Sequence, residues 1–492
     1  MSIRNRNTPF ASLALALLTS LGLPACGDDD CDLATIQGRL DGAAAGDRVR
    51  IPGCGLEGAL VVPAGVTLVG EDDATLAVTD PLAIGVELGA GARLEGLDIE
   101  AGGRAAVVAR GDASVADIDI DLRHGTGLYF VGGTADVSDV TVTGPVTAAN
   151  AADATWVNVL PDPGAAASCS VASCACVPGT IVSDTEICDS TGETVTWAPT
   201  IGIYTRGATL SLSNVSVAGI ARYGLVSDDS AVTWTGGEVR DVVGVGLLLR
   251  GGSSDLTDLT VSRIVSGLRG VPSYGVLTTE GHDQATSRVS VLEGERFGLV
   301  SLDGRGDHGD LSIDDNGDVG LWVSGSDGFA VTGSSAVESS GLSGVLIIDS
   351  TGVMLDGLRV ADTATVTRSV GTFGLQTIGD GVQLVGANEA LLRDVTVSGN
   401  ERVGILADVV PGLTFENVDV SASGTAFGAL GGTASMASGQ ITVDTGLAWD
   451  AGITRMGAAV ANDAAASGAF DALVEGRPDG ADSVVGIVGP MY

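Results

Sequence analysis

The chain has 492 residues, of which 45% are hydrophobic and only 4% aromatic, and it carries 62 acidic against 24 basic residues. This apolar content is too high for an intrinsically disordered chain, and a formal net charge of −38 disfavours nucleic-acid ligands because phosphate backbones repel an acidic surface. All the basic residues are arginine, so a mechanism that requires a catalytic lysine is excluded. With 74 glycines, the composition favours short strands joined by tight turns over a helix bundle.

Residues 1–25 have the pattern of an export signal, in which arginines precede an apolar stretch. The apolar stretch, residues 9–23, is too short for a transmembrane helix and leads into the sequence LPAC. This ending resembles a bacterial lipobox, which implies that Cys26 is lipidated and becomes the mature N-terminus. Ordinary cleavage before a free cysteine is the alternative. With residues 26–33 as a short tether, we expect an exported protein anchored in the outer membrane, on its periplasmic or its surface face.

Six cysteines follow Cys26, and an even number in an exported chain predicts disulfide bonds. A bond between Cys31 and Cys54 would close the N-terminal end of the fold. The other four are confined to one short segment, so we expect them to pair with one another, with a zinc site as the alternative. These four residues are Cys169, Cys174, Cys176 and Cys188.

A six-residue pattern, apolar-x-[Asn/Asp/Gly]-apolar-x-apolar, recurs along the chain, and its first copies are 21 and 22 residues apart. Glycine, asparagine and aspartate are the residues that best tolerate a left-handed backbone, and a single left-handed residue bends a strand sharply. The pattern therefore predicts a corner between two strands in each copy. The predicted corner residues are Gly96, Asp117, Asp139, Asn214, Asp258, Gly357, Asp394 and Asn417.

About 22 residues hold three short strands with their turns, which is one coil of a β-solenoid. We therefore predict an all-β fold, a right-handed parallel β-helix over residues 34–440 that resembles the pectin-lyase-like superfamily. Residues 35–69 are similar to the start of that fold, where a short amphipathic helix caps the open end of the core. Residues 148–199 break the period and are predicted to be a cysteine-rich insertion. Residues 441–492 are expected to form final irregular coils or a C-terminal cap.

Aromatic residues recur just before a repeated glycine of the same period. They are Tyr223, Tyr274, Phe297, Phe373 and Phe427. In a straight strand each would share its face with the aliphatic residue after the glycine, so we expect an aromatic stack inside the solenoid. The tryptophans that we expect at the surface are Trp156, Trp234 and Trp322.

Outward-facing carboxylates form the clearest candidate site. Asp98 and Glu100 alternate with apolar residues on one coil, and Asp119 and Asp121 should lie beside them on the next. Such a grid has spacings of about 5 Å between coils and about 7 Å along a strand. Stacked like charges repel unless they are neutralised, and Ca²⁺ suits such a set of oxygen ligands. The favoured interpretation is a solvated face of a very acidic protein, with a calcium site at these four residues as the alternative.

Two functions remain open at this point. Polysaccharide lyases of the superfamily use calcium and a basic side chain as proton acceptor, so the resemblance implies Asp119, Asp121 and Arg123 as catalytic residues of a lyase or glycoside hydrolase. However, the Gly-His-Gly and Arg-x-Lys motifs of the hydrolases with this fold are absent. The favoured prediction is a non-catalytic, membrane-anchored envelope protein that binds glycan or acts as a rigid scaffold, with its oligomeric state left open.

Overall fold

In the computed structural model of the protein, one helix accompanies 43 strands in the described part of the chain. No helix in this described part is long and apolar enough to cross a membrane. The export signal and Cys26 lie outside the described residues and stay predictions. The structure describes residues 31–71, 73–80, 83–146, 181–183, 186–188, 194–196, 201–266, 272–369, 375–408, 410, 412–421, 425–429 and 434–443.

The strands stack in three parallel ladders, and the chain visits the first, second and third ladder in turn in each coil. First-ladder strands are β1 (Arg48–Ile51), β4 (Thr67–Gly70), β7 (Ala92–Glu95), β21 (Ser253–Thr257), β24 (Asp283–Ser287), β27 (Arg305–Gly309), β30 (Phe329–Thr332), β33 (Met354–Asp356) and β38 (Leu391–Arg393). Second-ladder strands are β2 (Gly55–Glu57), β5 (Thr75–Val78), β8 (Asp98–Ala101), β22 (Thr260–Val265), β25 (Ser290–Leu292), β28 (Ser312–Asp314), β31 (Ala336–Glu338), β34 (Arg359–Ala361) and β39 (Thr396–Ser398).

Six longer strands bend at the corner and belong to both of these ladders. They are β10 (Ala113–Leu122), β12 (Thr134–Thr143), β17 (Thr209–Ala218), β19 (Ala231–Val243), β41 (Leu413–Ser421) and β43 (Ala434–Val443). The third ladder is a separate 14-stranded sheet. Its strands are β3 (Leu60–Val62), β6 (Ile84–Leu88), β9 (Ala105–Arg110), β11 (Thr126–Val131), β16 (Ile201–Arg206), β18 (Tyr223–Asp228), β20 (Val245–Arg250), β23 (Tyr274–Thr279), β26 (Phe297–Leu302), β29 (Val319–Ser324), β32 (Ser343–Ile348), β37 (Asp380–Val385), β40 (Val403–Asp408) and β42 (Thr425–Ala429).

This arrangement confirms the predicted parallel β-helix. The inward residues of the three ladders, mostly Val, Leu and Ile, form one continuous apolar core along the solenoid. All eight predicted corner residues have a left-handed backbone, with φ between 50° and 75°. Five further coils turn the same corner at residues that the pattern did not identify. Arg288 is outside the Gly, Asn and Asp class of the pattern, and around the other four an apolar position of the pattern is altered. These corners are Asp73, Gly236, Arg288, Asp310 and Gly333.

A short helix, α1 (Leu33–Asp41), confirms the predicted N-terminal cap. The Asp32 side chain accepts a hydrogen bond from the Thr35 backbone N–H at 2.9 Å, which fixes the start of the helix. The helix buries Ile36 and Leu40 in the open end of the core. The predicted disulfide between Cys31 and Cys54 is also present, and it ties the start of the helix to the first coil.

The cap also satisfies backbone groups of the first third-ladder strand, β3. Gln37 Nε2 donates to the Val61 carbonyl at 3.1 Å, and the Val61 N–H donates to Gln37 Oε1 at 2.9 Å. The side chain therefore takes the place of a preceding strand at this position. Such cover protects a sheet edge, which would otherwise offer unpaired groups to another chain.

Three long connections interrupt the coil period, and each runs from the second ladder to the third. They join β12 to β16, β22 to β23 and β34 to β37. Within the first, three short antiparallel strands are described, β13 (Ile181–Ser183), β14 (Glu186–Cys188) and β15 (Thr194–Thr196). The third contains a hairpin of β35 (Val366–Ser369) and β36 (Leu375–Ile378). Of the four cysteines predicted here, only the backbone of Cys188 is described, so their pairing stays a prediction.

The expectation of an internal aromatic stack is wrong. Leu225 belongs to the central core, whereas Tyr223 packs with Tyr129 and Tyr204 in a separate cluster on the outer side of the third ladder. The strand is not straight, because Gly224 also occupies an inward position. A Cβ atom there would contact core side chains and come within 2.6 Å of the next coil's backbone.

The same geometry repeats further along the third ladder. Tyr274 stacks on Phe297 with ring centroids 5.2 Å apart, and Trp322 joins them on the outer side. Trp322 is only 2% exposed and Trp234 is fully buried in the central core, so neither is a surface residue. Of the other aromatic residues in the prediction, Trp156 and Phe373 lie outside the described residues, and only the backbone of Phe427 is described.

Candidate functional site

The predicted carboxylate grid is assembled by the second ladder. Strands β8 and β10 pair in parallel, with Glu100 as the register partner of Asp121, and this register also sets Asp98 beside Asp119. All four side chains are exposed, while the residues between them are buried in the core. The alternation of a strand and the coil spacing therefore hold the carboxylates in two outward rows.

The grid lies in an open depression of about 500 Å³. Hydroxyl groups of Thr75, Thr141 and Thr143 line it on the coils before and after the grid, so it extends over four coils. A second depression of about 260 Å³ adjoins it at the corner between the first and second ladders. We call the carboxylates of the two depressions the acidic face, which comprises Asp73, Asp98, Glu100, Asp117, Asp119, Asp121 and Asp139.

Asp98 lies among the other carboxylates of the acidic face. Partial burial raises the pKa of this carboxyl, and the charges of Asp119, Asp73 and Asp117 raise it further, in that order. The ionised form of Asp98 is therefore disfavoured by the surrounding carboxylates. A ligand that donates hydrogen bonds or carries positive charge would relieve this cost.

A positive charge lies at one edge of the grid, in an exposed ion pair. Arg123 donates from Nη2 to Glu100 Oε2 at 3.1 Å, with 64% and 53% of the two side chains exposed. Such a pair contributes little stability because water screens it. The chemistry of the side chain also argues against Arg123 as a proton acceptor, because a guanidinium group donates hydrogen bonds and does not accept them.

The donor chemistry of the acidic face suits calcium, but its side chains do not converge. Among the described residues, no three Asp, Glu, His or Cys side chains are gathered closely enough to hold a metal ion. Calcium at Asp98, Glu100, Asp119 and Asp121 therefore stays a prediction.

Of the three histidines, His124 follows Arg123 at the edge of the grid, whereas the other two lie far from this face. His282 and His308 are completely buried, about five coils from the grid, or about 24 Å along the solenoid. His282 contacts the Gly251 carbonyl and the Ser254 hydroxyl, and burial lowers its pKa. Burial also lowers the pKa of His308, to about 3. Both rings are therefore neutral structural groups at neutral pH.

Two buried ion pairs were missed by the sequence reasoning. Arg402 Nε donates to Asp380 at 2.6 Å, and Arg296 Nε donates to Asp318 at 2.5 Å, with both carboxylates fully buried. Burial raises the pKa of Asp380, and the charge of Arg402 opposes that rise. Their signal is an arginine two positions before the repeated glycine, as in ERFGL and ERVGI.

These pairs do not form an open site. They flank the apolar clusters on the outer side of the third ladder, where Phe297, Trp322 and Leu346 are each 2% exposed. The β35–β36 hairpin contributes Ile378 to the same cluster. The acidic face is therefore the more accessible of the two polar regions.

Comparison with protein-family models and with curated proteins finds no match. Among solved structures, the Azotobacter vinelandii mannuronan C-5 epimerase AlgE4 A-module is similar, with a TM-score of 0.35 and 14% identity over 80% of this chain and 92% of that one. The periplasmic alginate epimerase AlgG has a TM-score of 0.32 and 10% identity over 84% of this chain and 82% of its own.

A third similar structure is the catalytic unit of the GH87 α-1,3-glucanase from Streptomyces thermodiastaticus, with a TM-score of 0.29 and 12% identity over 85% of this chain and 66% of that one. At these identities the similarity concerns the fold alone and assigns no activity to this chain. The strand pairing itself shows the architecture, a parallel β-helix.

Proposed function

We propose that this protein is a non-catalytic β-helix of the cell envelope, held at the membrane by a lipid on Cys26, that binds polysaccharide along its acidic face. The observation that supports this proposal is the open depression of carboxylates and threonine hydroxyls, in register over four coils. Ionised carboxylates accept hydrogen bonds from sugar hydroxyls, and the threonines both donate and accept. A rigid solenoid presents these groups at a fixed spacing, as a polymer with regularly spaced hydroxyls requires.

Solvent exposure favours binding over catalysis at this face. Cleavage by a carboxyl pair requires one group that holds its proton while its partner is ionised. In the grid, water reaches all four carboxyls, so none of them lies in the apolar pocket that usually keeps a catalytic acid protonated. A lyase would also need a base, and Arg123, one of the basic side chains beside the grid, is engaged with Glu100.

Binding is tested with the full-length protein in detergent, by calorimetric titration with neutral and uronate polysaccharides. We expect Asp98→Asn/Asp119→Asn to weaken binding by about tenfold or more, since a hydrogen bond to a charged group contributes about 1.5 kcal/mol. Asp419→Asn is the matched control, because Asp419 is exposed in the same outward row near the far end of the solenoid. Unchanged affinity in the double variant would exclude the acidic face as the binding site.

The alternative function is a calcium-dependent lyase or glycoside hydrolase that uses Asp119, Asp121 and Arg123. In its favour is the position of Arg123 beside the grid. It predicts depolymerisation of a uronate or neutral glycan and loss of both activity and calcium binding in Asp119→Ala and Asp121→Ala. Chain cleavage by the purified wild type would overturn the non-catalytic proposal.

The lipid anchor is tested separately. We expect Cys26→Ser to prevent incorporation of radiolabelled palmitate and to shift the protein from the membrane fraction to the soluble fraction. A variant that remains labelled and sediments with membranes would contradict lipidation at this cysteine.

A further inference from the structure

The outward residues of the third ladder are buried, whereas those of the other two ladders are mostly exposed or half-buried. Tyr129, Tyr204 and Tyr223, which we call the tyrosine cluster, point away from the core and yet are only 5%, 6% and 8% exposed. Thr141 and Thr143 point outward from the second ladder and are exposed. Because the rings are buried within a single chain, the layer that covers them belongs to this chain.

Neighbouring strands of the ladder do not account for this burial. Tyr129 and Tyr204 stack face to face with ring centroids 4.9 Å apart, so each ring covers a face of the other and leaves its outer edge open. The next residue in the same outward row is Val226, which is too short to reach past the ring of Tyr204. The described apolar residues grouped with the tyrosine cluster all belong to third-ladder strands. The cover therefore comes from outside the ladder.

The connection between β12 and β16 returns to the ladder at the tyrosine cluster. It ends at Ile201, which is fully buried, belongs to the same apolar group and is the register partner of Tyr223. Further along the solenoid, the hairpin of the third long connection places Ile378 and Val366 in the outer cluster of Trp322. A connection that joins the second ladder to the third can therefore fold back over the outer side of the third.

The short strands of the β12–β16 connection provide a surface of matching chemistry. Ile187 pairs in register with Ile181 and with Val195, so these three positions share one face of the small sheet. Glu186 and Thr196 are register partners on the opposite face. A sheet with one apolar face buries that face against another element. The tyrosine cluster offers an apolar surface where this connection ends.

We propose that the connection between β12 and β16 is docked on the tyrosine cluster, with the apolar face of its small sheet against the rings. Sheets packed face to face lie about 10 Å apart, and side chains from both fill the space between them. The rings are then an interface within the chain and not an open platform for stacking sugars. The outer side of the third ladder is closed to glycan at these coils, whereas the acidic face stays open.

Photo-cross-linking in the full-length protein tests the docking directly. The photoreactive residue benzoylphenylalanine replaces Tyr204 and, in a control protein, Thr233, which is exposed on the first ladder. We expect the probe at position 204 to cross-link to residues 147–200 and the probe at position 233 not to do so. Cross-links from position 204 to residues 444–492 or to a second copy, or no cross-link to residues 147–200, would overturn the proposal.

Nitration of tyrosine by tetranitromethane supplies an independent readout. We expect the tyrosine cluster to be protected in the wild type and to lose that protection when a short glycine-serine linker replaces residues 150–198. Removal of residues 444–492 should leave the protection intact. Hydrogen exchange in β10 and β12 shows whether the solenoid stays folded in both variants. Protection that survives the first deletion, or that disappears with the second, would assign the cover to another part of the chain.

Discussion

Asn214 offers the most direct test of the corner that defines the coil. Its φ is +56°, and its side chain donates from Nδ2 to Asp139 Oδ1 on the preceding coil at 2.7 Å. We expect Asn214→Val to destabilise the protein strongly, because a β-branched residue clashes in the left-handed region. Asn214→Gly keeps the bend and should remain close to wild type.

The expected loss of stability follows from the left-handed backbone and from the hydrogen bond of Asn214. A left-handed backbone costs an ordinary L-residue about 1–2 kcal/mol, and a branched Cβ places valine at the upper end of that range. Loss of the exposed hydrogen bond adds about 0.5 kcal/mol. The expected cost of Asn214→Val is therefore about 2.5 kcal/mol, or about 3 °C in melting temperature for a chain of this length. In Asn214→Gly, the backbone freedom of glycine offsets the lost hydrogen bond.

Differential scanning calorimetry of the two variants measures the difference. Ser213→Val is the control, because this exposed neighbour has an ordinary strand conformation in which valine is accepted. If Asn214→Val and Asn214→Gly melt within about 1 °C of each other, the left-handed residue does not determine the corner.

Three further predictions concern charge and cross-linking. Because the folded-state pKa of Asp98 is raised, its ionised form opposes folding at neutral pH and this cost disappears as the pH falls through that value. Asp98→Asn should therefore raise the melting temperature at pH 7 and have little effect at about pH 3. The Cys31–Cys54 bond spans 23 residues, so removing both cysteines should cost about 3 kcal/mol, measured as faster hydrogen exchange in the cap. Arg402→Met should cost about 3–5 kcal/mol in denaturant unfolding because it leaves Asp380 buried without its partner.

Each of these predictions has a result that would contradict it. An Asp98→Asn variant with the same stability change at both pH values would show that repulsion at the acidic face is negligible. Unchanged exchange in α1 after loss of the disulfide would show that helix packing alone holds the cap. For Arg402, adding Asp380→Leu should restore most of the lost stability, and failure to do so would assign the loss to packing.

The corners were predictable because a left-handed backbone is a local preference of a few residue types. Five corners escaped, because Arg288 is outside the residue types of the pattern and the apolar positions around these corners are altered. At Arg288 and Asp310, the residues at the first position of the pattern are Thr286 and His308, which face the core and bond to each other at 3.0 Å. The polar interior thus concealed the repeat in the coils where it occurs.

The placement of the grid was predictable as well, since a spacing of one coil brings Asp98 beside Asp119. The direction of the aromatic side chains was not, because it depends on contacts between coils. Gly224 turns inward against Val239 and the backbone of the next coil, which reverses the expected side for Tyr223. Likewise, the position of Arg402 before the repeated glycine marks the arginine, but its partner Asp380 lies one coil away, 22 residues earlier in the chain.

The hydrogen bonds between the Gln37 side chain and the Val61 backbone limit where coils can be added to the solenoid. Since that side chain terminates the strand stack, a coil duplicated ahead of residue 48 would displace α1 and leave the original junction without its partner. A coil duplicated between two existing coils keeps both the helix and its docking surface. Lengthening during evolution is therefore accommodated in the middle of the array, and head-to-tail filament growth is blocked at this position.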